Sequence, residues 1–256
     1  MTTVDVFELQ TTDWMLLLFS AFLQGMSKGG VPGLAVMAIP LVAMVIPGKN
    51  STGLVLPMLV IGDLFALAYW RRSVSVRDLL RALPWAVLGV VAGWMLLDRI
   101  ADAQMKPLIG GTVLFILGIH VWRKIRARKN EADGAAGDVG RPFFAAFMGF
   151  LGGVTTMLAN AAGPVIGAYL LSLKLSKATF LGTSAWFFFI VNWIKVPFMV
   201  QQRMITMDSL RINLYMVPAL VAGVAAGIFV ASRINQKTFD ILVTALAALA
   251  CLKLLF

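Results

Sequence analysis

Long apolar runs limit what this chain can become more than any other feature. They cover 14–27, 31–47, 51–70, 79–97, 106–122, 143–158, 161–173, 178–200, 209–231 and 238–256. A helix crossing a bilayer needs roughly 20 apolar residues, so most of these runs are long enough to span or nearly so. Composition agrees: 60% of the residues are hydrophobic and 13% charged, against about 25% charged in a soluble domain. Such a chain cannot clothe a water-facing surface. The expected fold is therefore an all-α polytopic membrane protein, with the lipid bilayer as its first partner.

The net charge of +10 does not point to nucleic acid, because the basic residues lie between apolar runs, where they set topology. A single cysteine, Cys251, and a single histidine, His120, suggest neither a disulfide nor a metal site, and no cofactor is expected. A membrane-embedded enzyme would place clusters of acids, histidines or metal ligands at the membrane face. This chain has few such groups, so no catalytic residues are assigned. The N-terminus is acidic and lacks the basic start of a secretory signal, so the first apolar run is expected to be retained.

Five runs, a polar linker and five more runs point to duplication: a first repeat over 1–122, a basic linker over 123–141 and a second repeat over 142–256. Landmarks recur in order at offsets of about 128 to 134 residues: Gly25 with Gly153, Lys49 with Lys177, Asp78-x-Leu80-Arg81 with Asp208-x-Leu210-Arg211, Gly89 and Gly93 with Gly223 and Gly227, and Arg99 with Arg233. By the positive-inside rule, loop 71–81, the linker, 174–177 and 232–237 are cytoplasmic. The N-terminus, 98–106 and 201–208 then lie outside, as do both termini. Corresponding loops fall on opposite faces, so the two repeats are expected to be inverted, a common plan for secondary transporters.

Each repeat opens with two short runs that meet at a polar, Gly-rich break: Ser27-Lys28-Gly29-Gly30-Val31-Pro32-Gly33 in the first, and Thr155-Thr156 through Asn160 to Gly163-Pro164 in the second. Irregular backbone at membrane depth is tolerated only where protein or a wet cavity satisfies it, and paired broken helices mark transport sites. Free N–H groups at a half-helix start favour an anion. The expected substrate-binding residues are Ser27, Lys28, Gly29, Gly30, Thr155, Thr156, Asn160 and Gly163. The alternative is a surface loop with Lys28 reaching to headgroups.

Charges inside apolar runs are costly and usually functional. Asp63 is a candidate for proton coupling or for pairing with Lys28 or Lys195, and Asn192 holds its equivalent position in the second repeat. Lys195 either joins this group or extends along its stem to the outer interface. Trp14, Trp70, Trp85 and Trp122 near run ends read as an interfacial belt, and Trp186 is expected near the second break.

These residues carry a family resemblance. Gln24-Gly25-Met26-Ser27-Lys28-Gly29-Gly30-Val31-Pro32-Gly33, then Gly149 through Pro164, then Gly182-Thr183-Ser184-Ala185-Trp186-Phe187-Phe188 with Asn192 and Lys195-Val196-Pro197, resemble the TauE/SafE family of sulfite exporter-like permeases. The resemblance implies transport across the bacterial cytoplasmic membrane, usually outward, of a small sulfur-containing anion: sulfite or an organosulfonate such as sulfoacetate. An anion channel, or a carrier of another small anion, is the competing reading, and homo-oligomerisation stays open.

Overall fold

A computed structural model describes residues 9–46, 49–97, 99, 140–239, 241–242 and 245. The run 106–122, nearly all of the basic linker and most of 238–256 lie outside the described residues, as do His120, Trp122 and Cys251. Every regular element described is an α-helix. In chain order these are α1 (Thr11–Gly29), α2 (Leu34–Val45), α3 (Lys49–Trp70), α4 (Val76–Leu97), α5 (Gly140–Ala159), α6 (Gly163–Ser172), α7 (Lys177–Gln201) and α8 (Met207–Arg233). Five of them, α3, α4, α5, α7 and α8, contain stretches long and apolar enough to cross a membrane.

Glycine sets the closest helix contacts, because without a hydrophobic drive in lipid, helices associate by close backbone approach. A Cβ at Gly25 would lie 2.1 Å from the Leu220 carbonyl oxygen of α8, and one at Gly223 would lie 2.1 Å from that of Phe22. In the other half, a Cβ at Gly89 would sit 2.1 Å from the Phe150 oxygen and one at Gly153 2.1 Å from the Ala86 oxygen. α1 thus packs on α8, and α5 on α4, each pair running parallel.

The same reciprocity appears at the ends of α3 and α7. A Cβ on Gly53, in the first turns of α3, would meet the backbone of Met204, just past α7. One on Gly182, in the first turns of α7, would meet the backbone of Ser73, just past α3. Each helix begins beside the end of the other, so the two are antiparallel.

These contacts sort the chain into two ends. The starts of α1, α3 and α8 share one end, where Trp14 packs edge-to-face on Tyr215. The loops around 73–75, 174–177 and 231–236 gather at the other. There the Ser75 amide donates to the Thr183 hydroxyl, and the Lys177 ammonium donates to the carbonyls of Ala231 and Ile234, 2.6 Å each.

α2 has 12 residues and α6 has 10. At 1.5 Å per residue they reach about 18 and 15 Å, half of a hydrocarbon core of about 30 Å. α2 turns back toward the end where α1 began, with the Ser20 hydroxyl donating to the Ala38 carbonyl across the hairpin. α6 turns back toward the opposite end, where the Tyr169 hydroxyl donates to the Asp78 carbonyl. Two hairpins therefore enter from opposite ends, and neither short arm crosses.

The breaks are shorter than the sequence motifs. α1 continues through Gly29, so Ser27, Lys28 and Gly29 are its last residues and not loop. Likewise Thr155 and Thr156 belong to α5, and the second break is confined to 160–162. Helix persists because α8 and α4 receive these segments at backbone contact. It stops where the backbone leaves helical space: Gly30 has φ 147° and Gly33 has φ 104°, and Asn160 has φ 54°, conformations open to glycine and, at some cost, to asparagine.

Candidate functional site

The two breaks face one cavity of about 50 Å³. A water needs roughly 10–15 Å³ by this measure, so the space suits a few waters or a compact oxyanion. Its wall carries Ser27 and Lys28 from the end of α1, Gly33 at the start of α2, Asp63 from α3, Thr156 from the end of α5, Asn160 from the second break, Gly163 from α6, and Ser184 and Phe188 from α7.

Lys28 reaches the cavity because α1 carries it down to the break beside Gly62, whose missing side chain leaves room: a Cβ there would stand 3.1 Å from the Lys28 Cγ. Its ammonium donates to Asp63 Oδ1 at 2.5 Å and lies 4.5 Å from the centroid of the Phe188 ring. Asp63 is fully buried, and its second oxygen accepts from the Asn192 amide at 2.7 Å. A carboxylate at this depth persists only when paired and hydrogen-bonded, and here both oxygens are engaged.

Lys195 is also fully buried. The interfacial alternative for it is corrected by this geometry: its ammonium turns inward and donates to Asn160 Oδ1 at 2.5 Å, Thr156 Oγ1 at 3.1 Å and Asn192 Oδ1 at 3.5 Å. Asn160 spends its own amide on the Thr52 carbonyl, 2.9 Å away. One polar chain thus runs from Lys28 through Asp63, Asn192 and Lys195 to Asn160, joining both breaks through α3 and α7.

Not every residue of the two motifs faces the cavity. Gly29 and Gly30 turn to α8, where a Cβ would meet the Val224 oxygen at 2.3 Å and the Ala231 Cβ at 2.5 Å. The Thr155 hydroxyl bonds back to the Leu151 and Gly152 carbonyls of its own helix. Trp70 is buried, not part of a belt, and its indole donates to the Gly29 carbonyl, locking the end of α1. Trp186 donates to the Arg71 carbonyl, just past α3. Sequence reasoning missed Ser184, Phe188 and the Thr52 carbonyl. The first two lie in the Gly182–Phe188 motif, but nothing in a motif tells which face of α7 meets a cavity.

Both short helices begin at this cavity without a side-chain cap: Gly33 is the N-cap of α2 and Ala162 that of α6. Their first N–H groups and positive dipole ends suit a negative ligand. Lys28 and the hydroxyl-bearing residues Ser27, Thr156 and Ser184 line the same cavity.

Long apolar helices packed around a buried chain of charged and amide side chains define a multi-pass membrane protein. The chain belongs to the sulfite exporter TauE/SafE family, whose model matches residues 17–254. That family is one of membrane transporters, and its match takes in both breaks and all four members of the buried polar chain on α1, α3 and α7. No curated protein and no solved structure matches the chain.

Proposed function

We propose that the protein is a secondary carrier that moves sulfite or an organosulfonate such as sulfoacetate outward across the bacterial cytoplasmic membrane, coupled to protons. The observation that carries this reading is the meeting of Lys28 with two uncapped half-helix starts at one cavity. Lys28 supplies full charge, the half-helices supply N–H groups, and the hydroxyls supply donors for sulfur-bound oxygens. The family supports the sulfur anion.

The halves work as inverted repeats. Gly25 on Gly223 is matched by Gly153 on Gly89, and Gly53 at Met204 is matched by Gly182 at Ser73. Exchanging the conformations of two such halves moves access from one side to the other while the site stays near the middle. With 71–75 and 174–177 on the cytoplasmic side, both termini are extracytoplasmic.

The test is flux of labelled sulfite in proteoliposomes, with sulfoacetate, taurine and sulfate as competitors, for the native protein and Lys28→Ala. Saturable flux that accelerates exchange and collapses in the variant is the expected result. Unsaturated conductance would instead make it an anion channel. Absence of sulfite flux, with another small anion transported, would replace the cargo and leave the carrier.

A further inference from the structure

Two ammonium groups and one carboxylate share the buried centre. Asp63 answers Lys28 directly. Lys195 has three partners, and none is a carboxylate: Asn160, Thr156 and Asn192 are all uncharged. The ionisable groups near it are Asp63 on α3, reached through Asn192, and Lys28 on α1. Asp78 and Arg81 on α4, with Tyr169 on α6, cluster at the other end of the bundle. With both lysines charged the empty centre therefore carries one uncompensated positive charge, which is expensive where water is excluded.

The hydrogen bonds around Lys195 suit either protonation state. The Asn160 and Asn192 amides are fixed, because their NH2 groups face the Thr52 carbonyl and the Asp63 carboxylate. Their oxygens must then face Lys195 as acceptors. The Thr156 hydroxyl has no other partner among the described residues and can turn. An ammonium can give its three protons to the three oxygens. A neutral amine can give two protons to the amides and accept the Thr156 proton on its lone pair. Thr156 and Asn160 also line the cavity, so the group that turns touches both Lys195 and the space where an anion would sit.

We propose that Lys195 is the proton-carrying residue of the cycle: neutral when the site is empty, and protonated at Nζ, its lone pair taking one proton from solvent, when a monoanion is bound. This rests on the anion-carrier reading above. Empty and neutral, or loaded and protonated, the centre has no net charge, and only these two forms rearrange readily. Anion and proton then cross together and release together. Net flux follows the anion and pH gradients and is indifferent to voltage, so outward movement requires an internal anion excess larger than the opposing proton gradient.

Labelled sulfite in proteoliposomes, kept mildly acidic so that it is mostly the hydrogensulfite monoanion, separates the ideas. In the native protein, net efflux should respond to an imposed pH gradient and stay unchanged when a potassium diffusion potential is imposed at constant pH. Lys195→Arg, which keeps its proton, should lose net efflux by about tenfold more than it loses sulfite–sulfite exchange, since exchange never needs the empty neutral form. Native efflux that follows the voltage overturns the inference with no variant required, and so does an equal fall of efflux and exchange in Lys195→Arg. Native protein that moves no sulfite at all overturns the sulfite reading, and this inference falls with it.

Discussion

Asn192 donates its amide to Asp63, 129 positions away in the chain. They meet where α3 and α7 run antiparallel, at two positions that the sequence spacing pairs. One half carries an acid there and the other an amide. Asp63 can hold Lys28, while Asn192 accepts from Lys195 through its oxygen.

Asp63 competes with an incoming anion for the Lys28 ammonium. Replacing it with asparagine should lower the KM for sulfite several-fold while slowing turnover by about tenfold, because the bound anion is no longer displaced by the carboxylate. Concentration-dependent uptake in proteoliposomes gives both constants. A raised KM would show that Asp63 positions Lys28 for the anion and does not compete for it.

The long apolar helices and the places of both breaks were legible because lipid imposes strong rules: long apolar runs, glycine at close contacts, and polar backbone only where something satisfies it. The partners of the charges were harder to read. Sequence spacing placed Asp63 and Asn192 at equivalent positions, but their direct contact depends on how α3 and α7 cross. The orientation of Lys195 was equally open, since a long stem can reach an interface or a core, and only the position of Asn160 decides it. Glycines also misled. Gly29 and Gly30 looked like room for a ligand, yet they are room for α8, and both uses leave the same letters in the motif.

The glycine contacts separate packing from site. A Cβ at Gly153 would lie 2.1 Å from the Ala86 oxygen, where only backbone can give way. Gly153→Ala should destabilise the protein by about 2 kcal/mol or more, as overpacking does, and should lower its melting temperature in detergent. At Gly62 the neighbour is the Lys28 side chain at 3.1 Å. Gly62→Ala should melt close to the native protein while sulfite flux drops several-fold. If the two variants lose stability equally, Gly62 belongs to the packing and not to the placement of Lys28.

Asn160 carries two separable burdens. Its φ of 54° costs alanine about 1–2 kcal/mol and glycine almost nothing, whereas its side chain bridges Lys195 and the Thr52 carbonyl. Denaturation in mixed micelles should rank Asn160→Gly as more stable than Asn160→Ala by about 1 kcal/mol. Transport should be lost in both, since neither supplies the amide. Transport in Asn160→Gly would show that the backbone turn alone is what the second break needs.

The orientation in the membrane can be read from a single helix. α8 has 27 residues and spans about 40 Å at 1.5 Å per residue, so its two ends emerge on opposite sides. Met207 at its start is 75% exposed, and Ser232 near its end is exposed as well. The end near Ser232 also holds Arg233 and Lys237 and gathers with the loops carrying Arg71 and Arg72. Lys and Arg excess marks the cytoplasmic side. With Cys251→Ser as background, Ser232→Cys should react with a membrane-impermeant maleimide only after cells are opened, and Met207→Cys should react in intact cells. The opposite pattern would turn the protein over: both hairpins would then enter from the other side, and the outward direction proposed for the sulfur anion would have to be argued from gradients alone.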